Sequence, residues 1–394
     1  VEKLKLSIIK RLYFAKAQSI AELSTALGKS VPNITSSVNK LIVEKIVLPD
    51  GLAPSTGGRR ATNFALNANN LPLLLCVAMD QYYTSVVVMD FDNKTKSSIE
   101  TEFIPLQQEN AYELLCSLIA KTLKQIANAR VYAIGLTVPG FVDSVTGVNN
   151  SFPSTSPLFA IQENLQQEFK LPVFVENDST AIAIAEHNFG KGKDEKNVMV
   201  VNLNWGVGLG MIIDNDLYRG HSGYAGEFSH IPLSNLSKLC SCGKRGCLEV
   251  EASLIAAREN AKEMLEAGEE SQLQATFSKN GYITGDQLLE AGNAGDPLAI
   301  KALRRIGYML GKGIATLIHI INPAMVVISG RGAKAKHVLL PEIQRSLLEF
   351  SIPRLSANTK IEFSATEHIQ LLGTACVAVA NADKNFLKQQ LTEL

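Results

Sequence analysis

Apolar residues recur at helical spacing from the start of the chain: Leu4, Ile8, Ile9 and Leu12, then Ile20, Leu23 and Leu27, with Gly28 placed to close a second, shorter helix. Ser30 stands where a third helix needs its N-cap, and Ile34, Val38, Leu41 and Ile42 give that helix one inward stripe. Its other face carries Pro32, Asn33, Thr35, Ser36, Asn39 and Lys40, small polar side chains of the kind a helix in a DNA major groove presents. Extended segments at 46–48 and 63–66 flank a Gly/Pro/Ser-rich stretch ending in Gly57-Gly58-Arg59-Arg60. That pattern predicts a hairpin wing whose Arg59 and Arg60 contact phosphates or enter a narrow minor groove. Three short helices followed by a basic hairpin make a winged helix-turn-helix pattern. A small helical docking module with a solvated arginine pair is the competing reading, and helix order, wing and charge together favour DNA.

Asn69, Asn70 and Pro72 read as a linker, so the first domain is placed at 1–70. Beyond it short apolar strands alternate with amphipathic helices. Strands are predicted at 73–79, 85–89, 99–103, 131–138, 173–175, 198–203, 209–213 and 325–329, with long helices at 109–127, 180–189 and 297–321. Strands followed by helices, twice over, imply two α/β lobes with a cleft between them. The boundaries expected are 71–190 for the first lobe, completed by a C-terminal helix at 374–394, and 191–373 for the second.

Composition adds limits. With 394 residues, 46% hydrophobic and 19% charged, the chain has room for two or three buried cores and is not expected to be disordered. Its longest apolar runs fall far short of the roughly 18 residues a membrane span needs, and no signal-peptide core is visible, so a cytoplasmic protein without membrane insertion is expected. Net charge is zero overall, yet residues 1–66 hold ten Lys/Arg against four Asp/Glu, leaving 28 against 34 in the remainder. A basic head on an acidic body predicts an anionic partner at one end only. Cys76, Cys116 and Cys376 are isolated in apolar contexts, as small core residues are, whereas Cys240, Cys242 and Cys247 cluster, which favours metal over disulfide.

Four separated motifs then carry a resemblance. His230 precedes Cys240-Ser-Cys242-Gly-Lys-Arg-Gly-Cys247-Leu-Glu249; Gly223-Tyr-Ala-Gly226-Glu227-Phe-Ser-His230 lies just before it; Glu176-Asn177-Asp178 ends a strand; and Pro139-Gly140 forms a turn. Together they resemble the ROK family (repressors, open reading frames and kinases), and within it the glucose and N-acetylglucosamine repressor branch. The resemblance implies a two-lobed sugar-kinase body of the actin-like ATPase, or ribonuclease H-like, class behind an α+β winged helix. Three thiolates and one imidazole, His230, Cys240, Cys242 and Cys247, form a complete tetrahedral set for a structural zinc ion in the loop 230–249. In sugar-binding members the residues matching Asn177, Asp178, Glu227, His230 and Glu249 reach sugar hydroxyls, and the one matching Asp178 is the catalytic base. Ser229 departs from the family's glycine at that position. Read alone, Asp178 or Ser179 would serve equally as a helix N-cap.

The nucleotide side departs further. Where kinases of the family carry a glycine-rich phosphate turn, this chain has Asp80-Gln-Tyr82-Tyr83-Thr84, and the second phosphate loop reads Asn204-Trp205-Gly206-Val207-Gly208-Leu209-Gly210. Tyrosines at 82 and 83 are expected to fill the phosphate space and stiffen the backbone. Phosphoryl transfer depends on holding the phosphates, so Asp178 is expected to be a vestigial base and no residue is assigned a catalytic role. The expectation is therefore a DNA-binding repressor of carbohydrate genes, a homodimer or dimer of dimers, controlled by a sugar or sugar phosphate in the interlobe cleft. An active ATP-dependent hexose or N-acetylhexosamine kinase is the alternative, and a protein effector docking on the body is a third possibility.

Overall fold

In the computed structural model, which describes residues 2–52, 60–126, 129–234, 238–383 and 386–387, local sequence signals set the first elements closely. Helix α1 (Glu2–Ala15) is followed by strand β1 (Ala17–Ser19), α2 (Ile20–Leu27), α3 (Val31–Val43), β2 (Val47–Leu52) and β3 (Thr62–Leu66). Ser19 and Glu22 form a reciprocal capping box at the start of α2, and Gly28 closes it in the left-handed conformation. Ile8, Ile9, Leu12, Leu23, Ile34, Val38 and Leu41 are at most 1% exposed, so the predicted stripes form one small core. The three strands pair antiparallel in the order β1-β3-β2, the arrangement of a winged helix. Strand β1, only three residues long, leaves no alternation to read in advance. Arg59, named for the wing tip, lies outside the described residues; Arg60 is exposed.

The segment expected to be a linker is hydrogen-bonded instead. The Asn67 amide donates to the Ile46 carbonyl, and the side-chain amides of Asn67 and Asn70 both donate to Lys45. Strands β4 (Leu73–Met79), β5 (Tyr83–Met89) and β6 (Glu100–Phe103) follow, then α4 (Ala111–Lys124), β7 (Val131–Val138), the small β8 (Val142–Asp143) and β9 (Val148–Asn149), α5 (Ile161–Phe169) and β10 (Val173–Asn177). The sheet order is β10-β7-β4-β5-β6. Pairs β10–β7 and β7–β4 are parallel, whereas β4–β5 and β5–β6 are antiparallel. Near-continuous apolar runs in β4 and β7 fit a sheet covered on both faces. Leu115, Leu118 and Ile119 of α4 and Ile161 and Leu165 of α5 supply one cover.

Helix α6 (Asp178–Phe189) leads out of this layer. The second α/β layer comprises β11 (Val198–Leu203), β12 (Val207–Ile213), β13 (Asp216–Leu217), α7 (Glu249–Ala252), α8 (Leu254–Glu266), α9 (Gln274–Asn280), α10 (Gly285–Asn293), α11 (Pro297–Ile321), β14 (Met325–Ser329), α12 (Lys336–Phe350), α13 (Pro353–Ser356) and β15 (Lys360–Phe363). Its sheet order is β13-β12-β11-β14-β15. The 25-residue α11 is capped by the Asp296 side chain, starts on Pro297 and ends at Asn322 in a left-handed turn. Helix α14 (Ile369–Ala380) returns to β7, where Thr374 and Ala378 leave no room for a side chain at Gly135.

By internal contacts the chain divides into residues 1–181 with 370–394, and residues 182–369. The first unit therefore holds the winged helix and the first α/β layer together. Among the described residues no helix is long and apolar enough to cross a membrane.

Candidate functional site

In the second unit, His230, Cys240, Cys242 and Cys247 bring one ligand atom each to within 4.8 Å of one another. Cys242 Sγ lies 3.6 Å from Cys247 Sγ, and Cys240 Sγ lies 3.5 Å from His230 Nδ1. Zinc–sulfur bonds near 2.3 Å set a tetrahedral edge of about 3.8 Å, so the cluster has the size and donor set a metal ion requires. Gly243 and Gly246, both at positive φ (82° and 76°), make the turns that fold so short a loop around one point. Burial, with Cys242 and Cys240 crowding it, pushes the Cys247 thiol up to about 12, while the Lys244 backbone amide holds the exposed Cys242 below the ordinary thiol range. A bound cation would remove that conflict by keeping all three sulfurs as thiolates.

Two carboxylates border the cluster. His230 points Nδ1 at Cys240 and Nε2 at Glu227, whose Oε2 is 3.6 Å away. Such a carboxylate–imidazole–metal arrangement fixes both tautomer and ring orientation. Glu249, first residue of α7, accepts from Cys240 Sγ at 3.6 Å through Oε2. Its Oε1 lies where a side chain at Gly206 would stand. Burial first, with the Glu249 charge adding to it and His230 opposing, raises Glu227 above the usual carboxylate range. Three of the five residues named for sugar, Glu227, His230 and Glu249, thus converge beside the metal loop and can accept from or donate to vicinal hydroxyls.

The other two lie in the first unit, at the end of β10. Asn177 is committed locally: its Oδ1 accepts from the amides of Ser179 and Thr180, capping α6, and its Nδ2 donates to the Gly140 carbonyl. The capping role open to Asp178 or Ser179 in the sequence therefore falls to Asn177, which also ties the Pro139-Gly140 turn to this strand end. Asp178 is 8% exposed and accepts from the Ser179 hydroxyl.

The two segments that match phosphate turns make contacts within the chain. In the first unit, Asp80 Oδ1 accepts from the amides of Tyr82 and Tyr83, each at 2.7 Å. A carboxylate thus takes the donors that a glycine-rich turn offers a phosphate. The tyrosine rings meet Phe103 of β6, Tyr82 stacked at 6.4 Å and Tyr83 edge-on at 5.3 Å. The rings therefore pack on β6, while the Asp80 carboxylate holds the backbone of the turn. In the second unit Trp205, 4% exposed, lies against Gly285 at the start of α10, where a Cβ would meet the indole. Arg331 sits over that indole at 5.3 Å and pairs with both oxygens of Asp286. The carbonyls of Asn204 and Trp205 accept from Leu254 and Ile255, so the first amides of α8 are taken as well. No pairing of Trp205, Asp286 and Arg331 was visible in the sequence, because they lie on three distant segments.

On α3 the outer face is open. Pro32, Asn33, Ser36, Asn39 and Lys40 are exposed and Thr35 is half-buried, its hydroxyl donating to the Val31 carbonyl. Ser30 occupies the N-cap position without a side-chain capping bond. Val31 and Val43, 50% and 80% exposed, extend this face at both ends and were not singled out from sequence, where they resemble core residues.

A two-layered α/β body with a Cys3His loop, joined to a winged helix, defines a sugar-kinase-like class with an added module. The chain belongs to the ROK family: the family profile matches residues 75–380. It is 27% identical over 390 residues to the xylose repressor of Caldicellulosiruptor bescii, covering 96% of this chain and 95% of that protein. It is 28% identical over 377 residues to the DNA-binding transcriptional dual regulator NagC of Escherichia coli, with 95% and 91% covered. A ROK family transcriptional regulator described as a homologue of the E. coli Mlc protein superposes with a TM-score of 0.78 at 26% identity over 99% of both chains. A ROK glucokinase from Streptomyces griseus, solved with glucose and AMPPNP, superposes with a TM-score of 0.68 at 27% identity, covering 77% of this chain and 98% of the enzyme.

Proposed function

We propose that this chain is a DNA-binding repressor of carbohydrate genes whose operator affinity is set by a sugar or sugar phosphate, without kinase activity. The observation that carries the reading is the pairing of an open polar α3 face with phosphate turns held by the chain's own groups. In this reading Ser30, Pro32, Asn33, Thr35, Ser36, Asn39 and Lys40 read the major groove, and Arg59 and Arg60 contact the backbone or minor groove. Full-length similarity to repressors supports it, since the similar kinase spans only 77% of this chain.

Sugar hydroxyls are recognised by Glu227, His230 and Glu249 in the second unit and by Asn177 and Asp178 in the first. His230, Cys240, Cys242 and Cys247 hold a structural zinc ion, which orders the loop that presents the carboxylates; the ion takes no part in a reaction. Asp178 serves recognition rather than catalysis, because positioning of phosphates supplies most of phosphoryl transfer. Palindromic operators call for a homodimer or a dimer of dimers.

Selection of bound fragments from a DNA library, followed by titration of the complex with glucose, N-acetylglucosamine, xylose and their phosphates, tests the reading. Release or tightening by one of these sugars is expected. A chain that ignores all of them while producing ADP from ATP, magnesium and a sugar is a kinase.

A further inference from the structure

Within the first unit, the winged helix is fastened to the α/β layer at one buried aromatic residue outside every sequence motif. Tyr13 of α1 is 1% exposed, packs edge-on against Phe91 at 6.0 Å, and donates its hydroxyl to Asn93 Oδ1 at 2.5 Å. Its receptor is rigid. Asp90, 2% exposed, accepts from the amides of Asp92 and Lys94 and pairs with Lys96, fixing the turn that carries Asn93 in the left-handed conformation. Lysines flank the contact on both sides, Lys10 donating to the Ala380 carbonyl and Lys16 to that of Asp92.

Ring contacts continue inward from this point. Phe91 meets Phe386 at 5.5 Å, Phe386 meets Tyr132 of β7 edge-on at 4.8 Å, and Tyr132 meets Phe174 of β10 at 6.5 Å. Phe174 is three positions before Asn177 on the same strand. At the outer end, Lys5 of α1 forms a part-buried ion pair with Glu44, the C-cap residue of α3. Packed rings therefore run from Tyr13 on α1 to Phe174, and the backbone of β10 leads from there to the strand end bearing Glu176-Asn177-Asp178.

The geometry points to Tyr13 as a positioning residue that holds the DNA-reading helix in register with its own α/β layer, and to the Tyr13–Phe91–Phe386–Tyr132–Phe174 string as the route by which ligand at the end of β10 is felt by α3. This inference rests on the repressor reading for its ligand, but its mechanical half does not. A buried tyrosine whose hydroxyl is bonded to a fixed turn is costly to displace, because its ring burial and that bond are lost together. The winged helix is therefore carried by the layer rather than tethered to it.

A chain of contacts is not yet coupling, so the test reads coupling directly. Tyr13→Phe and Asn93→Ala each remove the bond between the hydroxyl and Asn93 while keeping most of the packing, and Tyr13→Phe also removes the hydroxyl's contact with Cys376. In the full-length, sugar-free chain, hydrogen exchange over residues 4–15 is expected to quicken about tenfold in both variants, with β4 and β11 unchanged. Unaltered exchange over α1 overturns the anchoring. In the second arm, operator affinity without sugar and calorimetric affinity for the wild type's sugar are expected within about threefold of wild type. The sugar dose that shifts operator binding is expected to rise about tenfold, with the double variant no worse than either single one. Wild-type dose dependence in both variants overturns the route even if α1 loosens. If the wild type answers to none of glucose, N-acetylglucosamine, xylose or their phosphates, the repressor reading and the route fall together, and the exchange result alone decides the anchoring.

Discussion

The Cys3His loop and the two segments that match phosphate turns differ in what their polar groups face. At the loop, four ligands and two carboxylates converge with geometry that still suits an ion and a polyol. At the segments that match phosphate turns, the chain's own groups pair with one another: Asp80 takes the amides of Tyr82 and Tyr83, and the carbonyls of Asn204 and Trp205 take the first amides of α8. A turn amide needs an acceptor, and an internal carboxylate can take the place of a ligand there.

The comparison breaks most visibly at the loop. Cys242→Ser is expected to release the metal and lower the melting temperature of the second unit by about 10 °C or more, since structural zinc contributes many kcal/mol to small domains and about 1 kcal/mol moves a domain this size by a few degrees. Metal analysis with a melting curve checks this, and a variant that melts like wild type would show the loop to be held by packing alone. Next in size, Glu227→Gln removes an anionic acceptor beside His230 and should weaken sugar affinity about thirtyfold while operator binding stays as it was. Calorimetry with and without operator separates the two effects; normal affinity would move the pocket elsewhere.

A smaller change is expected at the other end of the molecule. Arg60→Ala should lower operator affinity about fivefold at moderate salt and reduce the salt slope by about one. An unaltered slope would take the wing out of the interface. The smallest effect is a pH dependence of the second unit. Burial, opposed by the Glu195 carbonyl and Asn215, lowers His187 below the ordinary imidazole value. The unfolded chain then binds the proton more readily than the folded one, so this contribution to stability is present above pH about 6.5 and is lost as pH falls through the lower folded value. His187→Gln should flatten that part of the melting-versus-pH curve, and an unchanged curve assigns the slope to another group.

What could be read from the sequence was what is local. Cys240, Cys242 and Cys247 lie within eight positions, and their spacing alone announces a metal loop. The stripes of α1, α2 and α3 follow helical period, and Ser19, Glu22 and Gly28 set the limits of α2 from within. What could not be read depends on conformation or distance. That the Asp80 carboxylate accepts from the amides of Tyr82 and Tyr83 is a property of the turn's conformation. Trp205 meets Gly285 and Arg331 across 80 and 126 positions, and Tyr13 looked like one more helical residue until its receptor at Phe91 and Asn93 was in place. Val31 and Val43 were passed over because an exposed apolar residue has no signature distinct from a buried one.

In the proposed reading this protein recognises sugar without transferring phosphate to it. The most direct test of that reading is a coupled assay of the zinc-loaded full-length chain with ATP, magnesium and the hexose or N-acetylhexosamine that binds most tightly by calorimetry. Binding of that sugar with ADP release no faster than in sugar-free controls is the predicted result, and sustained sugar-dependent ADP production would contradict it.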